Sequence, residues 1–367
     1  MNKIEELLHR YCPNGVQYKT LGETCDIKTG KGITKIDCSI NDKYPIISGG
    51  KKPMGYFRNF NRFENTVTIS RVGANAGFVS FIDTNFYLND KCFSIQPVEK
   101  YKDYLQSKFL FHVLKEKESD IIGMQSEGGV PTINSNKVSK ISFPIPPLPI
   151  QQEIVNILDK FTQLQAELEA ELEARKVQYE YYRDKLLDFE NNKVQWNKLS
   201  EVCINISSGK NNSREANGKY PVYGSTGIIG ATNEYNYDED CLLIARVGAY
   251  AGFVYKASGK FDVSDNTLII KPKLGYNIDF AYHQLTQLKL NKLAKGGGQP
   301  LITAGCLKDL IIAIPNESEQ INISGILEKF NKLINDPLVG ISGELNARKK
   351  QYEYYRNKLL TLKEKSA

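Results

Sequence analysis

The segment ISRVGANAGFV at residues 69–79 returns as IARVGAYAGFV at 244–254, 175 positions further along the chain. A chain that writes one piece twice at this separation is held to a two-fold internal plan, and the repetition reaches well beyond this segment. VQYKTLGETC (16–25) is answered by VQWNKLSEVC (194–203), and YPIISGG (44–50) by YPVYGST (220–226). DKCFSIQP (90–97) is answered by DNTLIIKP (265–272), GGVPTI (128–133) by GGQPLI (297–302), and ARKVQYEYYRDKLL (174–187) by ARKKQYEYYRNKLL (347–360). The offset drifts between 178 and 169, as loop insertions on a duplicated scaffold produce. Solenoid repeats run at roughly 20–50 residues, so a domain-sized unit predicts two pseudo-symmetric halves and not an array.

The first three quarters of each copy is dense in Gly, Pro, Asn and Ser between short β-branched and aromatic runs such as NTVTIS, GFVSFI, CLLIA and DNTLIIKP, which read as strands joined by turns. YLQSKFLFHVLKEK (104–117) and FAYHQLTQLKLNKL (280–293) read as helices, with His112 and His283 at equivalent places on a packed amphipathic face. After FPIPPLPIQQ the period changes. Ile154, Leu158, Phe161, Leu168, Leu172, Tyr179, Tyr182 and Leu186 recur at helical spacing, with Leu164 bridging one slip. About forty residues without Gly or Pro give a helix of about 60 Å, which requires a partner. Ile323, Leu327, Phe330, Leu333, Leu345, Tyr352, Tyr355 and Leu359 repeat the seam in the second copy. Four extra residues there, around Pro337, predict a kink or short break in the second helix alone. The expected fold is α+β: mixed globules at 1–150 and 191–315, separated by helices at 151–190 and 316–367 that pair as an antiparallel coiled coil with the globules at opposite ends.

Length fits this plan, since 367 residues suit two globular units with a remainder. The amino terminus carries acids where a signal peptide needs an apolar run, and no segment is apolar enough for a bilayer, so a cytoplasmic protein without membrane contact is expected. Seven cysteines lie scattered with no CxxC pair and no histidine at zinc-ligand spacing, which predicts free thiols and no metal. The net charge of +6 is unevenly spread: 151–190 carries ten acids against five bases, 316–367 seven against nine, and the remainder 34 bases against 25 acids. Basic globules point toward a polyanion, although a mildly positive surface without such a role has the same composition.

Catalytic constellations are missing. TGKGIT (29–34) lacks P-loop spacing, the double proline of IPPLP lacks the residues of an amino-methyltransferase motif, and neither HExxH nor GxSxG occurs. No cofactor and no catalysis are expected. Binding chemistry remains. The glycines of RVGANAG and RVGAYAG suit positive φ in a strand-to-strand turn. Arg71 and Arg246 follow a strand, where a guanidinium either ties loop carbonyls or reaches a phosphate or guanine edge. IISGGKKPMG (46–55) and VYGSTGIIGATN (222–233) read as exposed loops that differ in side chains where the scaffold agrees, which is where a recogniser stores two preferences. The candidates for nucleic-acid contact are therefore Lys31, Lys35, Ser48, Lys51, Lys52, Arg71, Asn75 and Gln125 in the first copy. In the second they are Lys210, Arg214, Ser225, Thr226, Asn233, Arg246, Tyr250, Lys295 and Gln299. Solvation of turns is the alternative role for the small polar ones. In the doubled QYEYYR, Tyr179, Tyr182, Tyr352 and Tyr355 fit the seam while Tyr181 and Tyr354 face outward, and with Arg183 and Arg356 these form the candidate partner surface.

The run PVYGSTGIIGATNEYNYDEDCLLIARVGAYAGFVY, with VSDNTLIIKP, GGGQPLI, IPNESEQINISGILEKF and the full-length duplication, resembles the DNA specificity subunit of type I restriction-modification systems. The resemblance implies two target-recognition domains, each reading half of a split site in double-stranded DNA, joined by two helices in an antiparallel coiled coil. It implies a non-catalytic subunit that recruits two methyltransferase subunits, which carry S-adenosylmethionine and modify adenine, and restriction subunits that add ATP-driven translocation and cleavage. The rival reading is a coiled-coil scaffold whose globules bind proteins.

Overall fold

The computed structural model describes residues 2–39, 41–126, 128–190, 194–296 and 298–365, with the side chains of Asn2 and Lys35 outside the described set. The chain divides into two compact units, Met1–Leu168 with Leu345–Ala367 and Glu169–Glu344. Each unit repeats one topology.

In unit 1 the strands Cys25–Thr29, Cys92–Pro97, Thr66–Ser70 and Val79–Ile82 form an antiparallel sheet in that order. In unit 2 the equivalents Cys203–Ser208, Thr267–Pro272, Cys241–Ala245 and Val254–Ala257 lie in the same order. Thr66–Ser70 and Cys241–Ala245 are buried along their whole length: in the second every residue is apolar, while in the first Val67 and Ile69 alternate with the small hydroxyl residues Thr66, Thr68 and Ser70. A second small sheet in each unit joins one parallel and one antiparallel neighbour to Tyr44–Ile47 or Tyr220–Gly224. The expected helices are present as Ser107–Glu116 and Ile278–Gln287.

VYGSTGIIGATN is not the exposed loop that its glycines suggest. Tyr220–Gly224 and Gly227–Thr232 pair as a hairpin closed by Ser225 and Thr226, with Gly227 at φ +90°. A two-residue connection followed by a positive-φ glycine favours closure, and Val222, Ile228 and Ile229 supply strand propensity on both arms. The glycines of the doubled turn do behave as expected, with φ of +103° and +99° at Gly73 and Gly77 and +78° and +95° at Gly248 and Gly252.

One continuous helix, Leu148–Leu186, contributes its first part to unit 1 and the rest to unit 2. Within unit 1, Ile150, Ile154 and Leu158 share a core with Tyr352 and Leu359 of the C-terminal helix Ile341–Leu360. Phe161 stacks on Tyr355 at 5.5 Å, and four residues later Gln165 reaches the Arg348 carbonyl, so the partner runs antiparallel. Within unit 2, Tyr179 and Leu187 pack with Ile323 and Leu327 of the helix Glu317–Asn335, and Tyr182 lies 5.7 Å from Phe330. The second-copy helix stops at Asn335 and resumes at Ile341, so the break falls at Pro337. Proline cannot donate to the preceding turn, and Asp336 stabilises the break by accepting from the Leu338 and Val339 amides. Among the described residues no helix is long and apolar enough to cross a membrane.

Each globule is pinned to its helix by a buried glutamine that the sequence did not single out. Gln151 donates to the Tyr104 and Pro146 carbonyls, both at 2.7 Å, and accepts from the Gln106 amide at 2.9 Å. Gln320 donates to Gly275 and Pro315 at 3.0 and 2.8 Å and accepts from the Asn277 amide at 2.8 Å. The equivalent histidines complete the joint: His112 Nε2 donates to Asp159 at 3.0 Å, while His283 accepts from the Tyr179 hydroxyl at 3.0 Å and turns Nε2 to Glu328 at 3.3 Å.

Burial holds both rings neutral, lowering His112 and pushing His283 down to about 4 although Glu328 and Asp279 oppose the shift and Lys256 assists it. In the unfolded chain the imidazole titrates near 6.5. Between about pH 6.5 and 4 the unfolded state therefore binds the extra proton, and stability present above that window is lost as pH falls through it. Thermal melts at pH 7 and pH 5 are expected to separate clearly in the parent and less in His283→Gln; parallel pH profiles would contradict this.

Candidate nucleic-acid interface

The same five segments meet at one end of the main sheet in each unit. In unit 1 the turn 71–77 is the centre. Arg71 donates its amide to the Lys91 carbonyl at 2.8 Å and Nη1 to the Asp90 carbonyl at 3.3 Å. Asn75 donates to the Gly49 carbonyl at 3.3 Å, drawing in the loop after Ile47, and Gln125 donates to the Ala76 carbonyl at 2.7 Å. The Lys31 amide donates to the Leu88 carbonyl at 3.0 Å, and Gly73 takes the Pro131 carbonyl at 2.9 Å. In unit 2 Arg246 makes the equivalent bonds to Asn266 at 2.9 Å and Asp265 at 3.2 Å. Ser225 donates to the Asn266 carbonyl at 2.7 Å, Lys210 donates its amide to Val263 at 3.0 Å, and Gly248 takes the Pro300 carbonyl at 2.9 Å. Lys295 and Leu301 exchange backbone bonds, closing the segment that carries Gln299.

At this end exposed bases outnumber exposed acids, the acids being Asp90 and Asp265 beside the two arginines. Lys31, Lys51 and Lys52 in unit 1 and Lys210, Lys295 and Gln299 in unit 2 lie at the surface, together with Thr226 and Tyr250. Each arginine ties a loop carbonyl through one N–H of the five a guanidinium carries, so the tying role is real and leaves donors over. Asn75 and Gln125 hold neighbouring loops through their amide groups, which makes them parts of the frame first.

Three candidates fall elsewhere. Ser48 is only 7% exposed, and its carbonyl accepts from the buried Cys92 thiol, so packing against the sheet removes it from the surface. Arg214 lays its aliphatic stem on Gly230, and Asn233 is bonded to the Glu215 carboxylate. Both sit at the end of the hairpin away from Ser225, beside an acid that disfavours a polyanion. The Lys35 side chain lies outside the described residues.

Lys91 and Asn266 were missed. They occupy equivalent exposed positions beside Arg71 and Arg246, and DKC against DNT was the available signal: different side chains on one shared frame.

On the helices, Tyr181 and Tyr354 stand out at 62% and 60% exposure, and Tyr182, exposed as well, packs edge-on against Tyr181. Tyr179, Tyr352 and Tyr355 turn inward. Arg183 is buried and holds Asp184, and Arg356 holds Glu116, so neither arginine is a free anchor. Burial pushes the Cys25 and Cys203 thiols up to about 12 and those of Cys92 and Cys241 up to about 11, which keeps them protonated and unreactive. Among the described residues no group of three or more His, Cys, Asp or Glu is placed to hold a metal.

Residues 13–175 and 191–346 match the family described as type I restriction modification DNA specificity domain. The type I restriction enzyme EcoprrI specificity subunit of Escherichia coli is 34% identical over 292 residues, covering 74% of this chain and 72% of its own length. A putative type I specificity subunit of Mycoplasma pneumoniae is 26% identical over 354 residues, 92% of this chain and 95% of that one. The crystal structure of a type I restriction-modification S subunit from M. genitalium shares the fold with a TM-score of 0.68 at 19% identity, covering 94% of this chain and 96% of that one. Two family blocks laid on the two copies of the repeat take in most of the sequence, and the chain belongs to the type I restriction-modification DNA specificity family.

Proposed function

We propose that this chain is the DNA-reading subunit of a type I restriction-modification complex acting in the cytoplasm. The loop cluster of unit 1 reads one half of a bipartite duplex site and that of unit 2 the other, and the helical connection sets the gap between them. The exposed tyrosine faces around Tyr181 and Tyr354 dock two methyltransferase subunits, with restriction subunits joining the assembly. The chain supplies no catalysis of its own. One observation carries this reading: the matched clusters keep the same backbone bonds at Arg71 and Arg246 while exposing different side chains around them. That arrangement holds two sequence preferences on one frame.

The test is Arg71→Ala and Arg246→Ala in the assembled complex. A guanidinium that contacts a base edge is worth about 1–3 kcal/mol, so each variant is expected to weaken binding roughly 5- to 150-fold, with only the small fall in melting temperature that one lost loop bond brings. A fall in melting temperature with binding preserved assigns both arginines to loop tying alone. Binding by the parent complex is also expected to fall steeply with salt, as phosphate contacts require; a protein-binding scaffold would show little affinity for duplex at any salt.

A further inference from the structure

The two copies treat one aromatic ring differently. Asn75 and Phe78 of the first turn correspond to Tyr250 and Phe253 of the second. In unit 1, Phe78 lies under two ammonium groups, Lys51 Nζ at 5.7 Å and Lys115 Nζ at 4.6 Å from the ring centre. In unit 2 the position of Lys115 is taken by Thr286, whose hydroxyl donates to the Tyr282 carbonyl at 2.7 Å. Among the described residues no cation stands over Phe253, which is 53% exposed with Tyr250, 46% exposed, edge-on at 5.3 Å.

The pair is exposed but not loosely held. The Phe253 amide donates to the Tyr250 carbonyl and the Ala245 amide to the Phe253 carbonyl, both at 2.9 Å. Gly252 between them sits at φ +95°, where a Cβ would come within 2.2 Å of the Asn291 amide nitrogen, so the turn is wedged against the segment behind it. Rigid rings left in water on the turn that begins at Arg246 and is bonded through Gly248 to Pro300 form an apolar spot on the same loop cluster as the candidate interface. A duplex offers one apolar group on its major-groove edge, the thymine 5-methyl.

We propose that Tyr250 and Phe253 receive a thymine methyl in the half-site read by unit 2, a contact that the lysine-covered ring of unit 1 does not make. The proposal rests on the DNA-reading function above. Its test uses the assembled complex and a duplex carrying the site that the complex modifies, with each thymine replaced singly by deoxyuridine, which removes the methyl and keeps the pairing edge. Binding is expected to weaken about 3- to 5-fold, the worth of one buried methyl, at one or two positions confined to one half-site. That loss is expected to vanish in Tyr250→Asn/Phe253→Ser and to persist in Tyr250→Phe.

Indifference to uracil throughout, with sequence-specific binding intact, overturns the methyl contact and leaves the DNA-reading function standing. Absence of sequence-specific binding in the parent complex overturns that function itself. Uracil discrimination that survives in the double variant, or a double variant that instead loses its methyltransferase subunits, assigns the rings to another surface and also overturns the proposal. Should the double variant fail to fold, the uracil scan of the parent complex decides alone.

Discussion

Replacing Gln320 with leucine is expected to destabilise the second unit by about 3 kcal/mol, because a buried polar group left without a partner costs roughly 1–3 kcal/mol. Leucine fills the volume but leaves the Gly275 and Pro315 carbonyls and the Asn277 amide without the side chain that serves all three. Gln320→Glu is expected to do worse. It restores an acceptor for Asn277 but turns a carboxylate toward two carbonyls in a buried site. The equivalent change, Gln151→Leu, should act the same way in unit 1, where Tyr104, Pro146 and Gln106 lose their partner. Denaturant unfolding followed by far-UV circular dichroism measures both. A change within about 0.5 kcal/mol, the range of ordinary surface substitutions, would contradict the pinning role.

These glutamines show where sequence reading ran out. The repeat, the strand runs and most of the helical seam were legible because each is a periodic pattern that survives without three-dimensional information, whereas Leu164, Tyr182 and Leu333, which the same spacing draws into the seam, are exposed. Gln151 and Gln320 are single polar residues at the start of a helix with no periodic signal, and only their equivalence in the repeat, where Gln152 corresponds to Ile321, sets them apart from solvated ones. Only the positions of Tyr104, Gly275 and their neighbours reveal what the amides serve. The hairpin at Tyr220–Thr232 was misread for the opposite reason: Ser225, Thr226 and three glycines outweighed Ile228 and Ile229, although the short connection favoured pairing.

The candidate interface was legible in its frame more than in its contacts. Arg71 and Arg246 could be placed by their position after a strand, and the repeated sequence around them brought their loops to matching places. Ser48 could not be distinguished from an exposed serine, since its burial depends on Cys92 reaching it across 44 residues of chain. Arg183 looked like an interface anchor because arginine beside tyrosine often is one, whereas here Asp184 next to it in the chain takes the guanidinium.

The other large effect concerns the length of the continuous helix Leu148–Leu186. Four residues inserted within 165–172 add about 6 Å along a helix axis, against about 3.4 Å for one base pair. The inserted turn is expected to change the unspecified gap of the target by one or two base pairs, so that the parent site is lost as a substrate while both half-sequences stay the same. A four-residue deletion should shorten the gap correspondingly. Neither change touches the loops around Arg71 or Arg246, which is why recognition and spacing should separate. The most direct measurement is a map of every modified adenine in a genome exposed to the complex, made once with the parent chain and once with the lengthened helix. The expected maps show two short defined sequences flanking an undefined gap, identical in both except for the gap. A single contiguous target, or altered half-sequences with the gap unchanged, would contradict twin readers set apart by a helical spacer.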